Sequence, residues 1–167
     1  SIELEDAIES FEGVLISGPR AGSKTINMSI PSQLPPIVPG VKAKVVSAET
    51  LRPNAFISIK GLGSFKTWME TLIDYDNIIE ETEDGRAAVV GHEKNIYIAG
   101  WADQMTLKMI FSRVCESKDI STTELEDCVR VRETLTHRFW FNYSNQECNV
   151  GSVCIPPSGV IWESIKG

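Results

Sequence analysis

Histidine is nearly absent from this chain: His92 and His137 are the only two. The four cysteines, Cys115, Cys128, Cys148 and Cys154, include no C-x-x-C pair, so the common zinc sites have too few ligands. Neither a metal nor a cofactor is therefore expected. Cys148 and Cys154 would face each other across a hairpin, yet a chain that buries a sizeable core favours free buried thiols. No serine lies in G-x-S-x-G and no cysteine in a glycine-flanked elbow, which leaves Cys128 with His137 as the one nucleophile–base combination to weigh. Positive charge is short as well. Sixteen Lys and Arg stand against 23 Asp and Glu, for a net charge of -7, and scattered bases of this number do not bind nucleic acid generally. No apolar run approaches the roughly 20 residues of a membrane span. With no signal-peptide pattern either, a cytoplasmic protein without membrane or nucleic-acid partners is expected. The chain starts at Ser1 rather than methionine, which reads as a processed form or an excised piece of something longer.

What is present is ordinary for a globular protein. Of 167 residues, 42% are hydrophobic and 23% charged, enough for one domain, or one domain with a small appendage. Leu4, Ala7, Ile8 and Phe11 fall at helical spacing before Gly13, predicting a short amphipathic helix. Val14-Leu15-Ile16, closed by Gly18-Pro19, has the continuous apolar run of a buried parallel strand. Residues 19–40 carry Pro31, Pro35, Pro36 and Pro39 and are read as a long irregular loop. Strands are predicted over 43–48, 55–60, 65–73, 78–83, 87–90 and 96–99, with Asp84-Gly85 turning a hairpin. Leu107, Ile110, Phe111 and Val114 predict a second, core-facing helix over 106–114. Polar residues 116–127 mark a boundary. Beyond it Thr136–Asn145 and Ile155–Glu163 alternate aromatic and β-branched with polar residues, as two strands of a small β module.

Three constellations invite chemistry. Gly18-Pro19-Arg20-Ala21-Gly22-Ser23-Lys24-Thr25 comes within one residue of the phosphate loop G-x-x-x-x-G-K-[ST]. Ser23 replaces the last glycine, and Pro31 and Pro35 leave no room for the helix whose N-terminus must face the phosphate. The segment is read instead as a structured loop in which Arg20 and Lys24 make salt bridges or meet a partner. Glu80, Glu81, Glu83 and Asp84 supply paired acids, but neighbours on a strand point to opposite faces and an acidic hairpin tip is usually a solvated edge. Phe139, Trp140, Phe141 and Tyr143 alternate across a strand, and core packing is the favoured reading over sugar stacking.

The Gly18–Thr25 segment, with Ile30-Pro31, Leu34-Pro35-Pro36 and Glu49-Thr50-Leu51-Arg52-Pro53 downstream, resembles the non-catalytic part of a β-galactosidase of glycoside hydrolase family 42. Asp84–Val90 followed by Ile96–Trp101, then Arg138–Tyr143 and Ile155–Glu163, extend the resemblance over most of the chain in the same order. It implies a parent in three parts: a catalytic barrel, a trimerisation domain with the fold of class I glutamine amidotransferases, and a small β domain. This chain resembles the second and third only. The family's catalytic glutamates belong to the barrel, so no catalytic residue carries over.

The reading that follows is an α/β, class I glutamine amidotransferase-like (flavodoxin-like) domain over 1–118, lacking its first strand, and a small antiparallel β domain over 119–167. Its expected role is assembly, with itself as a homotrimer or with the parent's catalytic barrel as partner. Arg20, Lys24 and Arg52 are the candidate interface residues. The alternatives are a small-molecule or carbohydrate-binding module, and an amidotransferase-like enzyme using one of the cysteines.

Overall fold

Leu4, Ile8 and the following Gly13 do produce the first helix, α1 (Ile2–Ser10). The computed structural model describes residues 2–92 and 94–165, and it divides into two compact units, Ser1–Ile120 and Ser121–Gly167. The face of α1 expected to be a core face is open: Leu4 and Phe11 are exposed and Ile8 is half-buried. Phe11 folds back so that its ring lies where a side chain at Gly13 would stand.

In the first unit β1 (Leu15–Ser17) runs parallel to β7 (Asn95–Ile98), which pairs antiparallel with β6 (Ala87–His92), and β6 with β5 (Ile78–Glu81). A second sheet is built on the ten-residue β4 (Ser64–Ile73), which pairs antiparallel with β2 (Lys44–Thr50), β3 (Phe56–Ser58) and β8 (Gly100–Ala102). Strands β7 and β8 follow one another through Ala99, whose N–H bonds the Ala88 carbonyl while its own carbonyl takes the Glu70 N–H. The sheets are thereby hydrogen-bonded through Ala99, and again where Ile59 bridges Thr82 at the ends of β3 and β5. Residues 18–43 hold no helix or strand, as the prolines require.

β6 is buried from Ala87 to Gly91. Consecutive residues on a strand face opposite ways: Val89 joins a core with Ile59, Phe65, Met69 and Ile110, and Val90 another with Val45, Leu72 and Tyr97. Helix α2 (Gln104–Ser117) is capped by Asp103, which accepts from the Thr106 N–H and from the Ser64 N–H and hydroxyl. Burial opposes the charge on Asp103, but these bonds outweigh it and hold the carboxyl below its usual range.

Three expectations about the first unit need correcting. The flavodoxin-like, amidotransferase-like α/β sheet does not form: the described residues make thirteen strands and two helices, and β1–β7 is the one parallel pair. Short turns and hairpins join most of these strands, and parallel pairing needs long crossovers; the fold is β-rich. β1 itself is a half-buried edge strand rather than a buried one. On α2 the stripe turned inward is Thr106, Ile110 and Val114, whereas Leu107 and Phe111 are exposed.

The second unit holds five strands where two were expected. β9 (Val129–Glu133), β10 (His137–Asn142) and β13 (Val160–Ser164) form an antiparallel sheet with β10 central. β11 (Cys148–Val150) and β12 (Val153–Ile155) form a hairpin turned at Gly151, φ 60°. Val129, Trp140, Cys148 and Ile155 are its core.

Candidate functional site

The loop after β1 is held by a residue that sequence reasoning did not single out. Glu70, in the middle of β4, is 2% exposed. Its Oε1 accepts the Arg20 N–H at 2.9 Å and the Trp68 Nε1–H at 3.3 Å, and its Oε2 accepts the Tyr97 hydroxyl at 2.5 Å. A buried carboxyl needs such donors. Burial pushes the Tyr97 phenol well above its usual range, and the bond to Glu70 adds to this, so Tyr97 stays a donor at every ordinary pH. The anchored Arg20 sits at φ 69°, in the left-handed region that a non-glycine residue seldom adopts, and its guanidinium lies 5.6 Å from the centre of the Trp68 ring. On the other side of the turn Gly22, φ 65°, is pressed against the Ile37 carbonyl, where no side chain fits. The signal for Glu70 was available: Trp68, Glu70 and Leu72 share a face of one strand, and an acid on a buried face demands a partner.

Arg20 and Lys24 belong to this one loop, joined by the bond from the Ser23 N–H to the Arg20 carbonyl. Lys24 lines an open groove of about 910 Å³ between α1, the free edge of β1 and the loop, together with Ile8, Leu15, Pro31 and Ile37. Arg52 lies elsewhere, in a depression with Pro53, Phe56 and Lys66. Among the described residues none of the three forms an ion pair with a carboxylate. The loop from Thr25 closes as a turn, through bonds of the Thr25 N–H to Ser29 and of the Met28 N–H to Thr25, so no helix N-terminus faces an anion there. Beyond it Ile26, Met28 and Ile30 are 83, 74 and 79% exposed.

Three of the four acids weighed for hydrolysis are tied to a base. Glu81 meets Lys60 at 2.6 Å, Glu80 meets Arg113, and Asp84 meets Arg86 at 2.7 Å. The Arg86 guanidinium and then the Thr82 hydroxyl hold Asp84 down to about 2. Glu80 and Arg113 line a cleft of about 470 Å³ walled by Val89 and Ile96 of the sheet and by Ile110 of α2. Cys128 and His137 do not meet, because Val129 pairs with Asn142 at one end of the β9–β10 hairpin and His137 begins β10 at the other.

In the second unit the aromatic residues split by face. Trp140 is buried, while Phe139 and Phe141 are half-buried and Tyr143 and Trp162 are exposed. Phe139 is opposite Trp162 in the β10–β13 register, and the His137 ring meets Trp162 edge-on at 5.1 Å. Asn142 is a second hub missed in the sequence. Its Nδ2 donates to the carbonyls of Gln146, Ile155 and Pro156.

No protein-family model matches the chain. It is 29% identical over 153 residues to a β-galactosidase of Thermus thermophilus, an alignment covering 85% of this chain and 23% of that protein. Among solved structures it is similar to the β-galactosidase of the psychrophilic Marinomonas ef1, with TM-score 0.86 and 27% identity over 97% of this chain and 27% of that one. It also shares its fold with Gan42B, a family 42 β-galactosidase from G. stearothermophilus, at TM-score 0.75 and 13% identity over 99% of this chain and 30% of that one. The chain is thus similar to one part of these β-galactosidases and spans about a quarter of the length of the relatives it matches, 23% and 27% for the first two.

Proposed function

We propose that this chain is the non-catalytic trimerisation and C-terminal region of a family 42 β-galactosidase, a cytoplasmic enzyme whose barrel hydrolyses β-galactosides while this region joins subunits. The observation that carries the reading is the 29% identity that runs through 85% of this chain yet only 23% of the relative. Two features support an assembly role. Ile26, Met28 and Ile30 expose an apolar run beside the anchored loop, more than a surface leaves bare without cause. A three-fold ring needs one patch to meet a different patch on the next subunit, and Trp101, Met105 and Phe111 on and before α2 are further apolar side chains left at least half exposed. Arg20, Lys24 and Arg52 are the cations proposed to rim the contact. Light scattering over a range of concentrations tests this: a trimer that weakens on Met28→Ser supports it, and a monomer at every concentration counts against it. The same preparation should leave a chromogenic β-galactoside uncut.

One observation favours a second reading, a carbohydrate-binding module. His137, Phe139, Phe141, Tyr143 and Trp162 spread along the outer side of the β10–β13 pair, and flat aromatic rings stack on the apolar faces of sugars. Lactose that shifts Trp fluorescence in the parent chain but not in Trp162→Ala would support it.

A further inference from the structure

We propose that Cys128 and Cys148 form a redox-reversible disulfide that staples the second unit. The pair stands apart from the assembly and sugar-binding readings and depends on neither. The Sγ atoms lie 3.0 Å apart, and a bond of about 2.0 Å asks the two side chains to close by about 1 Å. Their surroundings differ. Cys128 is half-buried just ahead of β9, while Cys148 is buried at the start of β11, its Sγ 3.3 Å from Asn142 Oδ1.

The other thiols are not placed to compete. Cys154 sits opposite Asn149 in the β11–β12 register while Cys148 sits opposite Ile155. Cys148 and Cys154 therefore face opposite sides of the hairpin, one buried and one exposed. Cys115 belongs to α2 in the first unit. Glu126, Cys128 and Cys148 also bring three donor atoms within 4.8 Å, the beginnings of a cation site. A zinc ion bonded to both sulfurs at about 2.3 Å would hold them about 3.8 Å apart, so the 3.0 Å separation falls between the two geometries; what sets zinc aside is the ligand set, which at three donors is one short of the four a structural zinc takes.

The chemistry is thiol–disulfide exchange with a low-molecular-weight disulfide as oxidant. Cys128, the accessible thiol, loses its proton and attacks one sulfur of the small disulfide, and the other sulfur leaves as a thiolate. Cys148 then loses its proton and attacks Cys128 Sγ, expelling the second small thiolate. Two electrons pass from the protein thiols to the oxidant, which ends as two thiols. The bond to the Cys148 thiol, followed by burial, raises the Cys128 pKa, so the exchange quickens as pH rises. The product ties the start of β9 to β11 and encloses the whole β9–β10 hairpin. A unit of this size has little core of its own, and crosslinks matter most there.

The test is incubation of the full chain with oxidised glutathione at mildly alkaline pH, then alkylation, digestion and mass mapping. Two of the four thiols should disappear, a peptide pair joined through Cys128 and Cys148 should appear, and the Tm of the second unit should rise on the order of 10 °C and fall back with dithiothreitol. Cys128→Ala and Cys148→Ala should each abolish the rise, and Cys154→Ser should keep it. Four thiols still free, a link through Cys154 or Cys115, a link between two chains, or tightly held zinc that shields the pair from alkylation would each overturn the proposal. The mapping of the unaltered chain decides even if Cys148→Ala fails to fold.

Discussion

Glu70 concentrates more consequence in one side chain than any charged residue on the surface. Three donors converge on it, from Arg20, Trp68 and Tyr97, so Glu70→Ala would strand them beneath the loop. The expected cost is about 2–4 kcal/mol, read by urea denaturation, while Tyr97→Phe, which removes one partner, should cost about 1–2 kcal/mol. Equal and small losses for both would mean that the network is not holding the loop. Asp84 governs acid behaviour at the Thr82–Arg86 turn. Its folded pKa of about 2 lies below the ordinary 3.8, so its contribution is present above about 3.8 and is lost as pH falls through about 2. Stability measured between pH 5 and 2 should therefore slope downward, and less steeply in Asp84→Asn. An unchanged slope would place the acid sensitivity elsewhere. Strand alternation was enough to read the acids at 80–84 as a solvated edge, though not their ion pairs; it also flagged Glu70 as an acid on a buried face, but could not name its partners, which come from positions 20 and 97, far along the chain.

Elements with their own local signature were the legible ones. Asp84-Gly85 announces its hairpin, with Gly85 at φ 85°, and the prolines announce the irregular stretch after β1. Strands β2 to β7 fall close to where alternation puts them. Which neighbour each strand chooses is a different matter: nothing local distinguishes a strand awaiting a parallel partner from one about to fold back on its hairpin mate, and here hairpins prevail. The same limit explains α2. Spacing of three and four makes Leu107–Phe111 and Ile110–Val114 equally good apolar stripes, and only the sheet beneath selects the second. Ile110→Ala should accordingly cost about 2–4 kcal/mol, while Phe111→Ala should stay within about 1 kcal/mol in a dilute monomer, both by chemical denaturation. The reverse order would mean that the helix is rotated.

At the scale of the molecule, the chain divides into two units, the first with two cores and the second with one. Residues 118–128 hold neither helix nor strand, and Lys118–Glu124 are exposed, so limited proteolysis should cut first there and release pieces matching the two units. First cuts within residues 19–40 would instead mean that the Glu70 anchor leaves the loop open. The β1–β7 pairing carries a further consequence, for how the molecule is made rather than what it is. The Ser17 hydroxyl bonds the Ile96 carbonyl 79 positions away, whereas β5, β6 and β7 join through short turns. Hairpins can close in microseconds, but β1 must wait until the chain between has been gathered in, and contacts of such high sequence separation slow folding. On a ribosome, therefore, β1 would emerge well ahead of the strand it pairs with, spending the interval as an uncovered edge that a chaperone or a neighbouring nascent chain can read.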